Sequence, residues 1–565
     1  MSRWTADFET TTQKDDCRVW AWIVVNVDKP EEFYIDNGIA TFIDFLGDKK
    51  HGKSKKVWFH NLAFDGEFIF NYILRNNFEW IYERKYLKNN RFTTLISDTG
   101  KFYSIDIMFN DCKCQIMDSL KLLNSSVEKI AHDFKLPISK LSIDYRAKRE
   151  QGHILTDDEK AYILNDAKIM ALALKQLFDQ GFTKMTAGSN ALKFYKNVIG
   201  GEKQFRDIFP VINCDDFIRK SYKGGFTYLN EKYANRDIGQ GQVYDVNSLY
   251  PSVLHSPYLY PYGQPEYYLG KYDEDKKHPL FVQRFRCSFE VKENYLPTIQ
   301  IKTNRFAFIP TEYCKSSKDI EVELTLTCVD LKLFLEHYDV YNMAYIDGYK
   351  FKAKTGLFDE YIDTWYQAKT EAKKTKNAVL SQLAKLLLNS LYGKFATNPK
   401  VQSKAPYLGE DGIVHYRLLQ PETREPLYIP VGTFVTSYAR NVTIRAAQKC
   451  YDRFIYADTD SLHLIGNEKP PIDVDQYKLG AFKLESIFTK AKFLRTKLYM
   501  EYGREPDEPE GSEEWKITGA GMPDSTKKLV EYGNFDYGST FGGKLRPLHV
   551  PGGIVLVDTE FTIRT

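Results

Sequence analysis

The sequence predicts a multidomain chain in which an α/β region is joined to a longer α+β region, and three observations carry the prediction. At 565 residues with 43% hydrophobic content, the chain is too long for one core and divides into several. Its first third alternates short apolar, strand-like runs with a capped helix. The remainder carries β-rich runs that end in aspartate, with a leucine-rich helix between them.

The first element is a strand through Asp7-Phe8-Glu9-Thr10, where alternation puts both carboxylates on one face. Val57-Trp58-Phe59-His60 reads as a second strand. It leads into Asn61-Leu62-Ala63-Phe64-Asp65-Gly66, which adds a third carboxylate beside an exposed amide and an aromatic ring. Thr156-Asp157-Asp158-Glu159 is a capping box, and in the helix it starts Tyr162 and Asp166 stand one turn apart on one face. Such carboxylates suit a hard divalent cation.

Farther on, Gln242-Val243-Tyr244-Asp245 is an apolar strand that ends in an acid and breaks at Pro251. Residues 256–355 are rich in Tyr, Pro and alternating strands, the pattern of an inserted subdomain. Gln382 to Phe395 reads as a helix that stops near Gly393. Lys385, Asn389 and Tyr392 fall along one of its faces, where a cation and a ring can share a nucleotide site. Gly409-Glu410-Asp411-Gly412 and Gln420-Pro421-Glu422-Thr423 are turn signals of a protruding hairpin. Two apolar runs, Arg453 to Tyr456 and Ser461 to Ile465, form another hairpin that reverses at Asp458-Thr459-Asp460. Carboxylates presented there, together with Asp245 from a second strand, can hold two metals for in-line phosphoryl transfer. The stretch Glu505 to Glu514 is a solvated acidic loop.

In order, Asp245 with Ser248-Leu249-Tyr250-Pro251, Lys385 to Gly393, and Tyr456 to Asp460 resemble motifs A, B and C of family B DNA polymerases. Tyr222-Lys223-Gly224-Gly225, Thr436 to Arg440, Lys497-Leu498-Tyr499 and the Pro551 to Asp558 tail narrow the resemblance to the protein-primed, phi29-like bacteriophage branch. The resemblance spans essentially the whole chain. It implies an RNase H-like 3′–5′ exonuclease domain over residues 1–187 and a right-hand polymerase domain over 188–565. Within the latter it implies a palm (188–255, 396–399, 429–525), a first terminal-protein region (256–355), fingers (356–395), a second insertion (400–428) and a thumb (526–565).

Site roles follow from the same resemblance. Asp7, Glu9, Asp65 and Asp166 are expected to bind two metals in the exonuclease, with Tyr162 orienting water and Lys140 assisting. Asn61, Phe64, Phe68, Ser119 and Leu120 are expected to touch single-stranded DNA, since aromatic faces stack on any base. Relatives carry an aromatic contact at the position of Ser125, so this grip is expected to be weaker here. In the polymerase, Asp245, Val246 and Asp460 are expected metal ligands, with Asp458 a supporting acid. Tyr250 is the steric gate against ribonucleotides. Lys385 meets the triphosphate, and either Lys369 or Lys373 is the second lysine, because the Trp365 to Lys385 stretch is longer than in the relatives. Asn389 and Tyr392 cover the nascent pair. Tyr222, Lys223, Gly224, Gly225, Thr436, Arg440, Lys497 and Tyr499 are expected to hold template or primer. The resemblance further implies DNA, deoxynucleoside triphosphates and a terminal protein as partners, two Mg²⁺ ions per centre with Mn²⁺ able to substitute, and a monomer.

Composition agrees. Lys and Arg total 78 against 75 acids, so phosphate binding rests on local clusters such as Lys373, Lys374 and Lys376 and not on a bulk basic field. Eight scattered cysteines with no zinc spacing are expected to be free thiols. No apolar signal core or membrane-length run is present, which points to a cytoplasm. A dedicated exonuclease with an inactive palm, a DNA-binding scaffold and an RNA-copying polymerase are the rivals. Two complete carboxylate sets argue against the first two, and parallel DNA and RNA templates would decide the third.

Overall fold

A computed structural model describes residues 1–144, 147–300 and 313–564. The first sheet has eight strands, ordered Phe33–Asp36, Val19–Asn26, Ser2–Thr10, Ser54–Phe59, Cys112–Asp118, Phe102–Phe109, Arg91–Ile96 and Glu79–Trp80. Val19–Asn26 is apolar along its length because both faces are covered. Ala21, Ile23 and Val25 share a cluster with Ile163, Ala167 and Met170 of the helix Asp157–Asp179, whereas Trp22 and Val24 pack with Phe42, Phe45 and Phe59. The capping box forms as the sequence predicts: Thr156 accepts from the Glu159 N–H, and the Glu159 carboxylate accepts from the Thr156 N–H. Arg149 and His153 hold Glu159 from outside at 2.8 and 2.7 Å.

A second sheet of eight strands has Gly241–Val246 at its centre, between Phe482–Arg495 and Ser461–Ile465. Phe454–Asp458 and Thr227–Leu229 continue one side; Leu498–Arg504 and Glu514–Gly519 continue the other, and Asp237–Ile238 pairs with Phe482–Arg495. The helix Ile429–Lys449 packs on this sheet. Its residues Phe434, Val435 and Ala439 share one core with Ala457, Leu462 and Leu464. The acidic loop joins Leu498–Arg504 to Glu514–Gly519, and Arg504 pairs with Glu513 at 3.4 Å. A four-stranded sheet, Tyr260–Leu269, Tyr338–Lys354, Leu280–Val291 and Val322–Thr327, fills the region predicted as an insertion. The helix of motif B spans Ala378–Phe395, capped by Asn377, and runs past Gly393. Burial of Phe395 at 1% exposure draws the last turn into the core, which the glycine does not prevent. All eight cysteines are free thiols.

The predicted hairpin, Lys404–Leu408 with Val414–Leu418, does not protrude freely. Its tip docks on the helix Leu62–Arg75, where Arg75 donates to the Gly412 carbonyl at 3.0 Å. Glu67 of that helix is 2% exposed. It accepts from the Tyr416 hydroxyl at 2.6 Å and lies 3.4 Å from Nδ1 of His549, on the last hairpin (Thr540–Val550 with Gly553–Thr562). One buried acid thus ties the insertion and the C-terminal hairpin to the first domain. The adjoining Glu67 carboxylate raises the His549 pKa above 6.5. Stabilisation by this pair is therefore fully present below pH 6.5 and is lost as pH rises through the folded-state pKa. The melting-temperature gap between the parent and His549→Gln should shrink from acid to mildly alkaline pH; a gap constant with pH would count against the charged pair.

Candidate active sites

The first centre lies where the helix Asp157–Asp179 packs across Ser2–Thr10. Thr5 Oγ1 donates to the Ala167 carbonyl at 2.9 Å and fixes that crossing. Asp7 and Glu9 leave one face of the strand, Asp65 sits in the first turn of Leu62–Arg75, and Asp166 and Tyr162 face them from the long helix. Asp7, Glu9, Tyr162 and Asp166 line a cavity of about 1130 Å³ with Phe64 and Lys140, and Val555 to Asp558 of the last hairpin close one wall. Lys140 Nζ stands 3.4 Å from Asp166. Burial, then the charge of Asp166, pushes Asp7 up to about 7. Burial also raises Glu9, Asp65 and Asp166, with Asp7 adding to the first two.

Four acids that oppose one another's charge suit a divalent cation. Oδ1 of Asp65 and of Asp166 is buried without a hydrogen-bond donor, which is the provision a metal ligand requires. As the side chains stand, no three His, Cys, Asp or Glu groups among the described residues are drawn into a closed ligand shell.

Of the expected DNA contacts here, Asn61 is exposed in a left-handed conformation, and Phe64 and Leu120 are half-buried. Phe68 and Ser119, expected at the same strand, face inward at 2% and 1% exposure. Gly553 lies on the Phe68 ring, where a Cβ would come within 2.5 Å, and a Cβ on Gly552 would clash with the Cys17 carbonyl oxygen; together these account for the Gly552-Gly553 pair. Ser119 spends its hydroxyl on the Phe59 carbonyl at 2.9 Å and lies 3.0 Å from His60. The other His60 nitrogen is 2.7 Å from the Ser125 carbonyl. Sequence reasoning passed over His60, which lines the same cavity.

The second centre is built at the ends of the central strands of the second sheet. Asp245 lies opposite Ser461 on one side and Lys483 on the other. The 458–460 turn reverses through Thr459 at φ 65°. Its Thr459 N–H donates to the Phe226 carbonyl at 2.7 Å, and the Val246 N–H donates to the Asp460 carbonyl at 2.8 Å. Asp245 and Asp460 are thereby brought together. Burial, then Asp460, raises Asp245 to about 7, and burial raises Asp460. These acids too fit a divalent cation. The Val246 side chain is 1% exposed, so that residue offers only its main chain. Asp458 is already engaged by Thr227 Oγ1 at 3.0 Å, the Tyr456 hydroxyl at 3.3 Å and Lys497 Nζ at 3.5 Å.

Tyr250 and Tyr392 stack with centroids 3.8 Å apart and planes at 14°. Lys385 and Asn389 are exposed on the same helix. Lys369 Nζ donates to Ser248 Oγ at 2.8 Å, and burial with the nearby Lys373, Lys385 and Lys483 lowers it to about 8. Lys369, not Lys373, thus reaches motif A. The Tyr222 to Gly225 turn passes over the 458–460 turn so closely that a Cβ on Gly225 would stand 2.6 Å from Thr459 Oγ1; only glycine fits.

Arg440 and Thr436, expected on DNA, are 2% and 1% exposed. Arg440 pairs with Asp330 at 2.6 Å and donates to the carbonyls of Lys223 and Gly224 at 2.8 and 2.7 Å, so it braces that turn from beneath. Thr436 donates to the Thr433 carbonyl of its own helix at 3.1 Å. Lys497 is exposed, and Tyr499 stacks on Phe493 at 4.8 Å. Lys483 and its neighbour Glu485 escaped the sequence reading, because pairing across the sheet, and not a local motif, brings them to Asp245.

Residues 49–171 and 148–479 match the family described as DNA polymerase type B, organellar and viral. The DNA polymerase of Bacillus phage B103 is 47% identical over 581 residues, 99% of each chain, and that of Bacillus phage phi29 is 46% identical with the same coverage. In structure the chain is similar to phi29 DNA polymerase complexed with primer-template DNA, at 44% identity, a TM-score of 0.93 and full coverage of both chains. It is similar also to the ternary complex of that enzyme with primer-template DNA and incoming nucleotide, at 45% identity and a TM-score of 0.92. Two acidic centres on two sheets and a full-length match lead to one assignment: the chain belongs to the type B DNA polymerases, in their phi29-like phage branch.

Proposed function

We infer that the chain is a DNA-directed DNA polymerase with a second, 3′–5′ exonuclease centre. The observation that carries this reading is the presence of two separate acidic centres, each on its own sheet, in a chain that matches phi29 DNA polymerase from end to end. A division near residue 187 is supported by Thr186, which caps the helix Ala187–Val198 that packs on the motif B helix.

At the second centre, Asp245 and Asp460, with the main chain of Val246, would hold divalent ions, for which we propose two Mg²⁺, or Mn²⁺ in their place. Bound there, the ions would neutralise triphosphate charge and favour in-line attack of the primer 3′-hydroxyl on the α-phosphorus, with pyrophosphate leaving. Lys369 and Lys385 bring positive charge to the phosphates. The Tyr250–Tyr392 stack forms a flat floor under sugar and base, and Gly224 and Gly225 allow the strand backbone to approach. At the first centre, Asp7, Glu9, Asp65 and Asp166 would hold the metals, and Tyr162 and Lys140 would orient water toward the terminal phosphodiester. Priming by a terminal-protein hydroxyl, strand displacement and action as a monomer in a host cytoplasm complete the proposal, supported by branch membership. Among the described residues no helix is long and apolar enough to cross a membrane.

Tyr250→Ala should weaken discrimination against ribonucleotides by roughly 10- to 100-fold, the range one hydroxyl-sized contact supplies; unchanged selectivity would remove Tyr250 as the gate. The function as a whole is tested on one gel. A labelled primer on a partly duplex template, with magnesium, should extend through the duplex when nucleotides are present and shorten from its 3′ end when they are absent. Shortening alone would favour a dedicated exonuclease, and neither reaction would favour a scaffold.

A further inference from the structure

Four lysines from three elements gather near Asp245. Lys369 and Lys373 lie on the helix Asp359–Lys374, Lys385 lies on Ala378–Phe395, and Lys483 opens the strand Phe482–Arg495. The last of these is placed by register and not by side-chain freedom. It pairs directly with Asp245 across an antiparallel ladder, so both side chains leave the sheet on one face. Nζ of Lys483 stands 3.6 Å from Asp245 Oδ1, and its side chain is 31% exposed.

An ordinary surface ion pair would sit among charges of alternating sign. Here the ammonium groups of Lys373, Lys385 and Lys483 are near enough to disfavour charge on Lys369, and Lys483 and Lys385 do the same to Lys373. Asp245, Asp460 and Glu485 are the acids within range of Lys483 or its partner. Like charges gathered in one place are unfavourable in isolation and become favourable when a polyanion binds among them. Two of these acids are, moreover, the proposed metal ligands, so a cation arriving there relieves Lys483 of its partner.

We propose that Lys483 is a phosphate-contacting residue of the nucleotide site. In the free protein it counterbalances Asp245. When a nucleoside triphosphate and its metals bind, its flexible stem carries the ammonium to the β- and γ-phosphate oxygens, and it stays with these as they leave as pyrophosphate. The proposal rests on the reading of Asp245 and Asp460 as the synthesis centre.

The test is equilibrium binding of the next correct deoxynucleotide to the full chain on a primer-template whose primer ends in a dideoxynucleotide, at saturating magnesium, so that no bond forms. The parent should bind. Lys483→Met and Lys483→Gln should each raise the nucleotide Kd roughly 10-fold, the scale of one charge-assisted contact, and Lys483→Arg should stay within about 3-fold. Nucleotide-free 3′ shortening serves as the folding control, since Lys483 lies on the other sheet. A Kd unchanged in both neutral variants, with only the magnesium requirement of extension shifted, would overturn the proposal and leave Lys483 as a mere holder of Asp245. Failure of the parent itself to bind nucleotide would instead overturn the reading of the centre.

Discussion

Asp245→Asn is expected to lower DNA synthesis by roughly 10³- to 10⁵-fold, the loss typical of removing one member of a catalytic unit, while 3′ shortening continues at the parental rate. Asp245 lies near the end of one strand and Asp460 in the turn that enters the strand beside it; burial and then Asp460 raise Asp245, and burial with Asp458 and Glu485 raises Asp460. The amide keeps the shape of the side chain and removes only the charge that a metal needs. Because one of two opposed buried charges disappears, the melting temperature should hold or rise, so lost activity cannot be ascribed to unfolding. Asp458→Asn should cost far less, since Thr227, Tyr456 and Lys497 already occupy that carboxylate. Primer extension and nucleotide-free shortening on the same gel, with a melting curve, check all of these. Loss of both reactions in a folded Asp245→Asn protein would mean that the centres are not separate.

What the sequence disclosed well was local. The capping box at Thr156 needs only four consecutive residues, and the 458–460 reversal needs two apolar runs around a short polar turn; both form as read. The carboxylates of each centre were also legible, since alternation in strands and the turn of a helix fix the face of a side chain. Burial of individual polar residues was not. Arg440 and Thr436 look like strand contacts in the sequence, yet a helix packed against Asp330 and the 222–225 turn turns them inward. Phe68 lies inward because Gly553, 485 positions later, lies on its ring. Lys483 meets Asp245 by a register that spans 238 positions. Such pairings depend on long-range strand register and on how distant segments pack, and no short motif encodes them.

The first centre should show a measurable trade between stability and function. Asp65→Asn is expected to reduce 3′ shortening roughly 10³-fold or more and to leave synthesis intact. In the presence of a chelator it should also make the protein more stable, by about 1 to 3 kcal/mol. Asp65 is 4% exposed, its Oδ1 has no donor, and Asp7 and Glu9 oppose its charge. An amide there removes the repulsion and can donate to the neighbouring acids. Added magnesium should erase the difference, because a ligand that binds only the native site stabilises it by mass action and the parent binds it better. Melting curves with chelator and with magnesium measure both effects. Equal melting temperatures under the two conditions, with shortening lost, would mean that Asp65 acts on the substrate and not as a strained metal ligand. The expected convergence would show instead that the fold tolerates an unfavourable cluster of buried charge because the reaction requires it.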